Sequence, residues 1–314
     1  MSGFELRPLT LGELLDRAFL LYRRNFRLFA GIMVFPSCLT LPIQYLGFRK
    51  WGVSFPWNRP TPQPHDLAYT FGFMFLYWIV YAVAEAATTN AVAEEYVGRH
   101  STIREAYGRL RGRFWRAIGV TLNVYIRTLV LIFLFALLAL IAGIALAAVM
   151  NQGSVSPEPP VALAPISLAV GGFGLGLLFS ARYTLSLPAV LLEDIKGRAA
   201  IRRSVQLSRG RRGQLFVAIL LGLVVSYAAA AIFQGPFYLG IAVLGIKGHL
   251  PNRIIMALSV SDMIGHTITA PLLMIVLVLF YYDLRIRKEG FDLQHMMTSL
   301  PESKLADSIS PVQS

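Results

Sequence analysis

Six long apolar blocks, separated by short and mostly basic connections, dominate the hydrophobic pattern of this chain. A helix needs about 20 apolar residues to cross the roughly 30 Å hydrocarbon core of a bilayer. Blocks of about this length or longer occur at positions 28–46, 67–92, 118–150, 161–192, 215–245 and 254–282. The pattern therefore predicts an all-α, polytopic membrane protein with about six transmembrane helices. The third and fourth blocks are longer than one perpendicular helix needs, so tilt, a kink at Pro188 or an interfacial extension is expected to take up the excess.

Composition excludes an ordinary soluble domain. The chain is 55% hydrophobic and only 15% charged, whereas soluble domains carry about 25% charged residues. The first block starts only at Leu28 and lacks a convincing cleavage site, so we expect it to remain as an anchor rather than to act as a cleaved signal peptide. Cys38 is the only cysteine, which excludes an intramolecular disulfide and a cysteine-based metal site.

The basic residues predict how the chain sits in the membrane. Of the 29 Lys and Arg residues, 22 lie in four segments that would share one side of the bilayer. Because cationic loops are retained in the cytoplasm, we expect an inner-membrane protein with both termini cytoplasmic. The net charge of +12 is broken into clusters beside the apolar blocks, so the expected partners are anionic lipid headgroups at the basic segments and not nucleic acid.

The basic segments also resemble one another in sequence. An offset of 98 residues places Glu95 on Glu193, Ile103 on Ile201, Arg104 on Arg202, Arg111 on Arg209, Gly112 on Gly210 and Arg113 on Arg211. The segment 10–26 has the same character, which predicts repeat units 10–95, 99–193 and 197–287 within a single membrane domain, 1–287. The remainder, 288–314, is expected to be a polar, disordered cytoplasmic tail.

Each predicted unit is a basic amphipathic helix followed by two membrane helices. Thr10 with Glu13, and Thr102 with Glu105, have the spacing of a capping box and mark expected helix starts. The sequence leaves two arrangements open. The basic helices either lie in the interface with their apolar side toward the lipid, or extend the following spans into the cytoplasm.

Three short stretches of sequence carry a family resemblance. They are RYTLSLPAVLLE at 182–193, followed by AIRRS at 200–204 and RGRR at 209–212, then YYDLRIRKEGFD at 281–292, and LTLGELLDR at 9–17. These stretches resemble the polytopic membrane domain of bacterial glycerophosphoryl diester phosphodiesterases. In that family the chemistry belongs to a separate soluble, metal-binding domain, and many members consist of the membrane part alone. The resemblance implies a stand-alone membrane domain, with no catalytic, cofactor-binding or metal-binding residue to carry over.

Ionisable residues inside the apolar blocks are the candidate site residues. Glu85, Arg127 and Arg182 lie at comparable depths, which suggests an intramembrane charge cluster in which Glu85 pairs with an arginine. Such a cluster is either a proton or anion pathway, or a structural tie with the arginines reaching toward the headgroups. Asp262 and His266 share a helix face. They either line a polar outer vestibule, or Asp262 caps or terminates a shorter membrane segment.

The sequence shows no nucleophile beside a base, no metal-ligand cluster and no phosphate-binding loop. It therefore favours a scaffold, assembly or accessory component, which implies a membrane-protein partner, over an enzyme, and it predicts no cofactor. The alternative is a transporter or channel for a small or lipidic solute, since repeats and kinked helices are also typical of transporters.

Overall fold

The computed structural model describes residues 9–51, 64–150, 159–243 and 252–290, and these are almost entirely helical. The helices are α1 (Leu11–Arg24), α2 (Phe26–Trp51), α3 (Pro64–Tyr96), α4 (Ile103–Gly108), α5 (Phe114–Met150), α6 (Pro159–Ser180), α7 (Ser186–Leu192), α8 (Gly197–Ser208), α9 (Arg212–Val243) and α10 (Asn252–Glu289). The all-α polytopic fold expected from the apolar blocks is confirmed. Because α10 continues to Glu289, the first two residues of the expected tail, 288 and 289, are helical, and positions 291–314 lie outside the described residues.

Five stretches of helix among the described residues are long and apolar enough to cross a bilayer. They are Phe71–Tyr96, Phe114–Leu146, Leu168–Leu192, Arg212–Gly240 and Asn252–Glu289. The first apolar block lies in α2 (Phe26–Trp51), and among the described residues of this helix the apolar stretch is Phe26–Leu39. A sixth crossing by α2 therefore stays a prediction.

One order of elements occurs three times along the chain. A short basic helix (α1, α4 or α8) precedes a long helix (α2, α5 or α9), and a second long segment follows (α3, α6 with α7, or α10). Thr10 and Thr102 each form the expected capping box. Gly112 and Gly210, which the 98-residue offset aligns, adopt positive φ angles of 84° and 88° in the turns that lead into α5 and α9, a conformation that favours glycine. The order and turns support the predicted repeat, although its units as domains stay a prediction.

The basic helices neither face lipid with their apolar side nor simply prolong the next helix. Leu14, Ala18 and Leu21 of α1 are buried, as are Ala200 and Leu207 of α8. These side chains pack against the ends of the long helices, in one core with residues of α3, α7 and α10. We call this end of the bundle, where α1, α4 and α8 pack, the basic end. Protein covers these apolar side chains, and neither of the two arrangements that the sequence left open describes this packing.

Exposure divides the long helices into two halves. Toward the basic end, segments 82–96, 181–192 and 270–286 are almost continuously buried. Farther from it, the same helices and their neighbours expose large apolar side chains, such as Phe71 of α3, Phe133 of α5 and Leu239 of α9. An apolar surface of this kind is stable in lipid and not in water. The extra length of the fourth block therefore belongs to the protein-packed half at the basic end.

The fourth apolar block is interrupted close to Pro188. A 3₁₀ turn at Ala181–Tyr183 follows α6, and α7 then begins at Ser186. Proline has no N–H for the carbonyl of Thr184, four residues earlier, and its ring clashes with that carbonyl in a continuous helix. The hydroxyl of Thr184 donates to the carbonyl of Ala181 at 2.8 Å, and that of Ser186 donates to the carbonyl of Tyr183 at 2.7 Å. These two hydroxyls thus satisfy some of the backbone carbonyls that lose their helical hydrogen bonds at the break.

Candidate functional site

Glu85 is buried between α3 and α5. Its residue is only 7% exposed, and its carboxylate accepts a hydrogen bond from the Tyr125 hydroxyl at 3.3 Å. The Tyr125 ring in turn meets the edge of Trp78, with 5.6 Å between ring centroids. A carboxyl group in this position is expensive to leave unpaired, so the tyrosine stabilises it.

Arg127 and Arg182 meet at one aromatic ring. The guanidinium carbon of Arg127 lies 5.5 Å from the centroid of the Tyr183 ring, and that of Arg182 lies 4.7 Å from it. Arg127 Nε also donates to Asn123 Oδ1 at 2.7 Å. The structure therefore brings the two arginines together, while the described hydrogen-bonding partner of Glu85 is a tyrosine. Whether Glu85, Arg127 and Arg182 act as one charge cluster stays a prediction.

Asp262 lies inside α10, ten residues after its first residue, so it does not end the helix. Whether a shorter membrane segment ends at Asp262 stays a prediction. Its carboxylate accepts a hydrogen bond from Gln234 Nε2 of α9 at 2.5 Å. The neighbouring Ser261 hydroxyl donates to the carbonyl of Phe233 at 2.6 Å. These two contacts tie α10 to α9.

His266 packs against α3 rather than beside a second metal ligand. Its ring meets the edges of Tyr81 and Tyr77, with centroid distances of 5.4 and 6.5 Å. The hydroxyls of Thr267 and Thr269 donate to carbonyls four residues earlier in α10, so much of the polarity in this half is used within the helix. Within the described residues, no three His, Cys, Asp or Glu side chains are placed to hold a metal ion. The polar vestibule at Asp262 and His266 stays a prediction.

Tyrosines connect the two groups of candidate residues. Tyr77 and Tyr81 stack with 5.9 Å between their centroids, and both contact His266. Glu85 follows Tyr81 by four residues on the same face of α3. Sequence reasoning missed this aromatic link, although the spacing of four between Tyr77, Tyr81 and Glu85 was a usable signal. We call Glu85, Tyr81, Tyr77, His266 and Asp262 the polar track.

An ion-pair ring closes the basic end. Arg203 of α8 contacts Glu193 at 2.9 Å and Glu289 at 2.5 Å, and Arg285 of α10 contacts the same two carboxylates at 3.4 and 3.3 Å. The Tyr281 hydroxyl donates to Glu193 at 2.5 Å. Burial alone would raise the pKa of Glu193, but hydrogen bonds from Arg203 and Tyr281 and the charges of Arg203 and Arg285 outweigh it, so this pKa lies below its usual value. The ring joins α7, α8 and α10.

Two carboxylates at the ends of long helices hold the chain just before a basic helix. Asp283 of α10 accepts the backbone N–H of Leu9, which precedes the α1 cap, at 2.7 Å. Glu95 of α3 accepts the N–H of Ser101, which precedes the α4 cap, at 2.9 Å. Arg287 pairs with Asp283 at 2.9 Å. Asp283, at the end of the last predicted unit, thus binds the start of the first unit, and Glu95, at the end of the first unit, binds the start of the second.

A comparison with protein families finds a similar membrane domain. Residues 164–305 match the family described as the membrane domain of glycerophosphoryl diester phosphodiesterase. Over this range the chain is similar to that family. This confirms the resemblance seen in the sequence. No curated protein and no solved structure was found to match.

The phosphodiesterase match concerns the membrane part of that family and not its catalytic domain. The matched range includes the break beside Pro188, the ion-pair ring and most of the expected vestibule, with Arg182, Asp262 and His266. Glu85 and Arg127 precede it. The chain is therefore a multi-pass membrane protein that is similar, over residues 164–305, to the membrane part of this phosphodiesterase family.

Proposed function

We propose that this chain is a non-catalytic scaffold, assembly or accessory component of the bacterial inner membrane, with both termini and the basic end in the cytoplasm. The proposal rests on the construction of the basic end. Capping boxes fix α1 and α4 there, and the ion pairs of Arg203 fix α8, while the outer faces of the three helices remain charged. A rigid surface that faces outward is better suited to binding a partner than to catalysing a reaction.

The outward side chains of these helices are cationic. Arg23, Arg104, Arg111, Arg198 and Arg202 are all exposed. Each lies on or directly after a basic helix whose opposite face is buried. Anionic headgroups, or an acidic surface of a membrane-protein partner, are complementary to such a face. This observation supports a recruiting role.

Purification in mild detergent tests the proposal. We expect a stoichiometric partner to co-purify with the wild-type chain. Its binding should be weakened or lost when Arg104 and Arg202 are both changed to Gln. The matched control is Arg253→Gln, because Arg253 is exposed at the opposite end of α10 and its loss removes charge without touching the basic end. Isolation without any partner, combined with solute uptake by the protein in liposomes, would contradict a scaffold role.

A transporter or channel is the second candidate, and the polar track is the observation that favours it. A spatial succession of ionisable side chains between helices is typical of proton relays in membrane transporters. The experiment is proton flux into liposomes containing the purified chain, measured with an internal pH indicator. Flux that is abolished by Glu85→Gln and kept in Arg253→Gln would favour transport, whereas flux equal to that of empty liposomes in all cases would argue against it.

A further inference from the structure

We propose that Arg127 and Arg182 bind the phosphate group of a membrane phospholipid, with the Tyr183 ring, which both guanidinium groups contact, as the fixed platform. The site lies where the lipid-exposed surface of the α5–α6 hairpin meets the buried layer at the basic end. It is separate from the outward arginines of the short helices.

The depth of the site follows from where lipid exposure begins. Along α5, Val120 and Thr121 are buried, whereas Ile126 is 51% exposed and large exposed apolar residues continue to Leu146. The stretch from Ile126 to Leu146 is about 30 Å long as a helix, which is the thickness of the hydrocarbon core. Arg127 stands at the first turn of this stretch. It therefore lies at the level of the lipid headgroups once its side chain extends toward the basic end.

Helix α6, which packs against α5, independently indicates the same depth in the membrane for Arg182. The exposed apolar surface of α6 ends at Phe179, and Arg182 follows within the 3₁₀ turn. The carbonyl of Arg182 accepts a hydrogen bond from the Ser204 hydroxyl at 2.7 Å. Since Ser204 belongs to the basic helix α8, Arg182 lies beside the basic end and not at the bilayer midplane.

No acidic partner of the two guanidinium groups lies among the described residues. Some arginines of the basic end have such a partner, as Arg113 and Arg116 have in Asp194, each at 3.1 Å. Neither Arg127 nor Arg182 forms an ion pair with any carboxylate of the described ranges. In those ranges, Arg182 Nε is also buried without a hydrogen-bond partner. A buried charged donor of this kind is costly unless a ligand completes it.

Phosphate is the anion whose chemistry fits. Guanidinium groups donate paired N–H bonds to phosphate oxygens, and such charge-assisted bonds are stronger than neutral ones. The Tyr183 ring is only 9% exposed and holds both cations within 5.5 Å of its centroid, which limits their freedom before binding. Approach is past Ile126 and Phe179, both exposed to lipid, so a phospholipid is the source rather than phosphate from water.

Lipid retention measured by native mass spectrometry tests the site. The probe is phosphatidylglycerol added to the delipidated chain in detergent. We expect the Arg127→Gln, Arg182→Gln double variant to bind it about tenfold or more weakly than wild type. The control, Arg27→Gln with Arg253→Gln, removes the same charge from two other exposed positions and is expected to bind within about twofold of wild type.

Further arms separate the alternatives. Arg127→Gln alone changes an exposed side chain, so it should fold normally and still weaken binding several-fold, which keeps the test valid if the double variant does not fold. Inorganic phosphate at millimolar concentration should not displace the lipid. Equal lipid binding by wild type and Arg127→Gln, an equal loss in the control, or displacement by inorganic phosphate would each overturn the proposal.

Discussion

Single carboxylates in this protein are stabilised by unlike partners. Between α3 and α5, the buried carboxyl group of Glu85 accepts a hydrogen bond from the hydroxyl of Tyr125. At the basic end, Glu193 is held by two arginines and Tyr281. The difference follows from solvent, because ion pairs are assembled more readily beside water than inside hydrocarbon.

The Glu85–Tyr125 contact predicts a measurable coupling energy. We expect Glu85→Gln and Tyr125→Phe to destabilise the protein less together than the sum of their separate effects, by about 0.6 kcal/mol, as is typical of hydrogen bonds between membrane helices. The measurement is the free energy of unfolding in mixed detergent micelles. Tyr227→Phe is the control, since Tyr227 is 73% exposed. Strictly additive effects would show that the contact contributes nothing.

The lowered pKa of Glu193 predicts a loss of stability in acid. A carboxyl group whose pKa is lower in the folded than in the unfolded state stabilises the fold above the unfolded pKa, near 4.5, and this contribution is lost as the pH falls through the folded pKa. We expect the thermal unfolding temperature of wild type to drop on acidification below about pH 4.5 and that of Glu193→Gln to drop less.

Asp16→Asn serves as the comparison for Glu193→Gln, because it removes an exposed carboxylate of α1. Its acid profile should follow that of wild type. Identical profiles for all three proteins would mean that the ion-pair ring does not carry this dependence.

At the scale of elements, the α5–α6 hairpin depends on two glycines that allow the helices to approach closely. A Cβ at Gly176 would lie 2.5 Å from the Cα of Ile132, and one at Gly172 would collide with the backbone carbonyl of Phe135. Gly174, between them, has nothing within 4 Å. Small residues spaced by four are a common basis for helix packing in membranes.

Alanine substitutions at these positions should separate packing from helix propensity. Gly176→Ala is expected to destabilise the protein by about 1–3 kcal/mol through overpacking. Gly174→Ala is the matched control and should be neutral or stabilise by up to about 1 kcal/mol, the helix preference of alanine over glycine. Thermal unfolding in detergent provides the comparison. Equal effects at both positions would contradict the observed helix approach.

The sequence predicted elements whose cause is local. The capping boxes of Thr10 and Thr102 depend on residues three positions away, and the break beside Pro188 depends on the missing N–H of that proline. The partner of Glu85 was not predictable in the same way. Its depth suggested an arginine, but only the rotation of α5 about its axis decides that Tyr125, and not Arg127, faces Glu85.

At the scale of the whole molecule, the three successive sets of helices are joined end to end at the basic end. Asp283 holds the start of α1 in the way Glu95 holds the start of α4, so the last set closes back on the first. The similar segments and the basic side were predictable from composition and from the 98-residue offset. This closure was not, since it joins positions 274 residues apart.

The proposed function requires that the helices cross the bilayer with the basic end in the cytoplasm. It also requires that the interior of the bundle contains no water. Thiol labelling by a membrane-impermeant reagent tests both requirements most directly, with single cysteines placed in a Cys38→Ser background. Gln214 and Asn252 are exposed at opposite ends of the bundle, and Val278 is fully buried.

We predict that Gln214→Cys reacts only in inside-out vesicles, Asn252→Cys only in right-side-out vesicles, and Val278→Cys in neither. Labelling of Gln214→Cys and Asn252→Cys from the same side would contradict the crossing of α9 and α10. Labelling of Val278→Cys would show water in the interior and would contradict the scaffold in favour of a transport path.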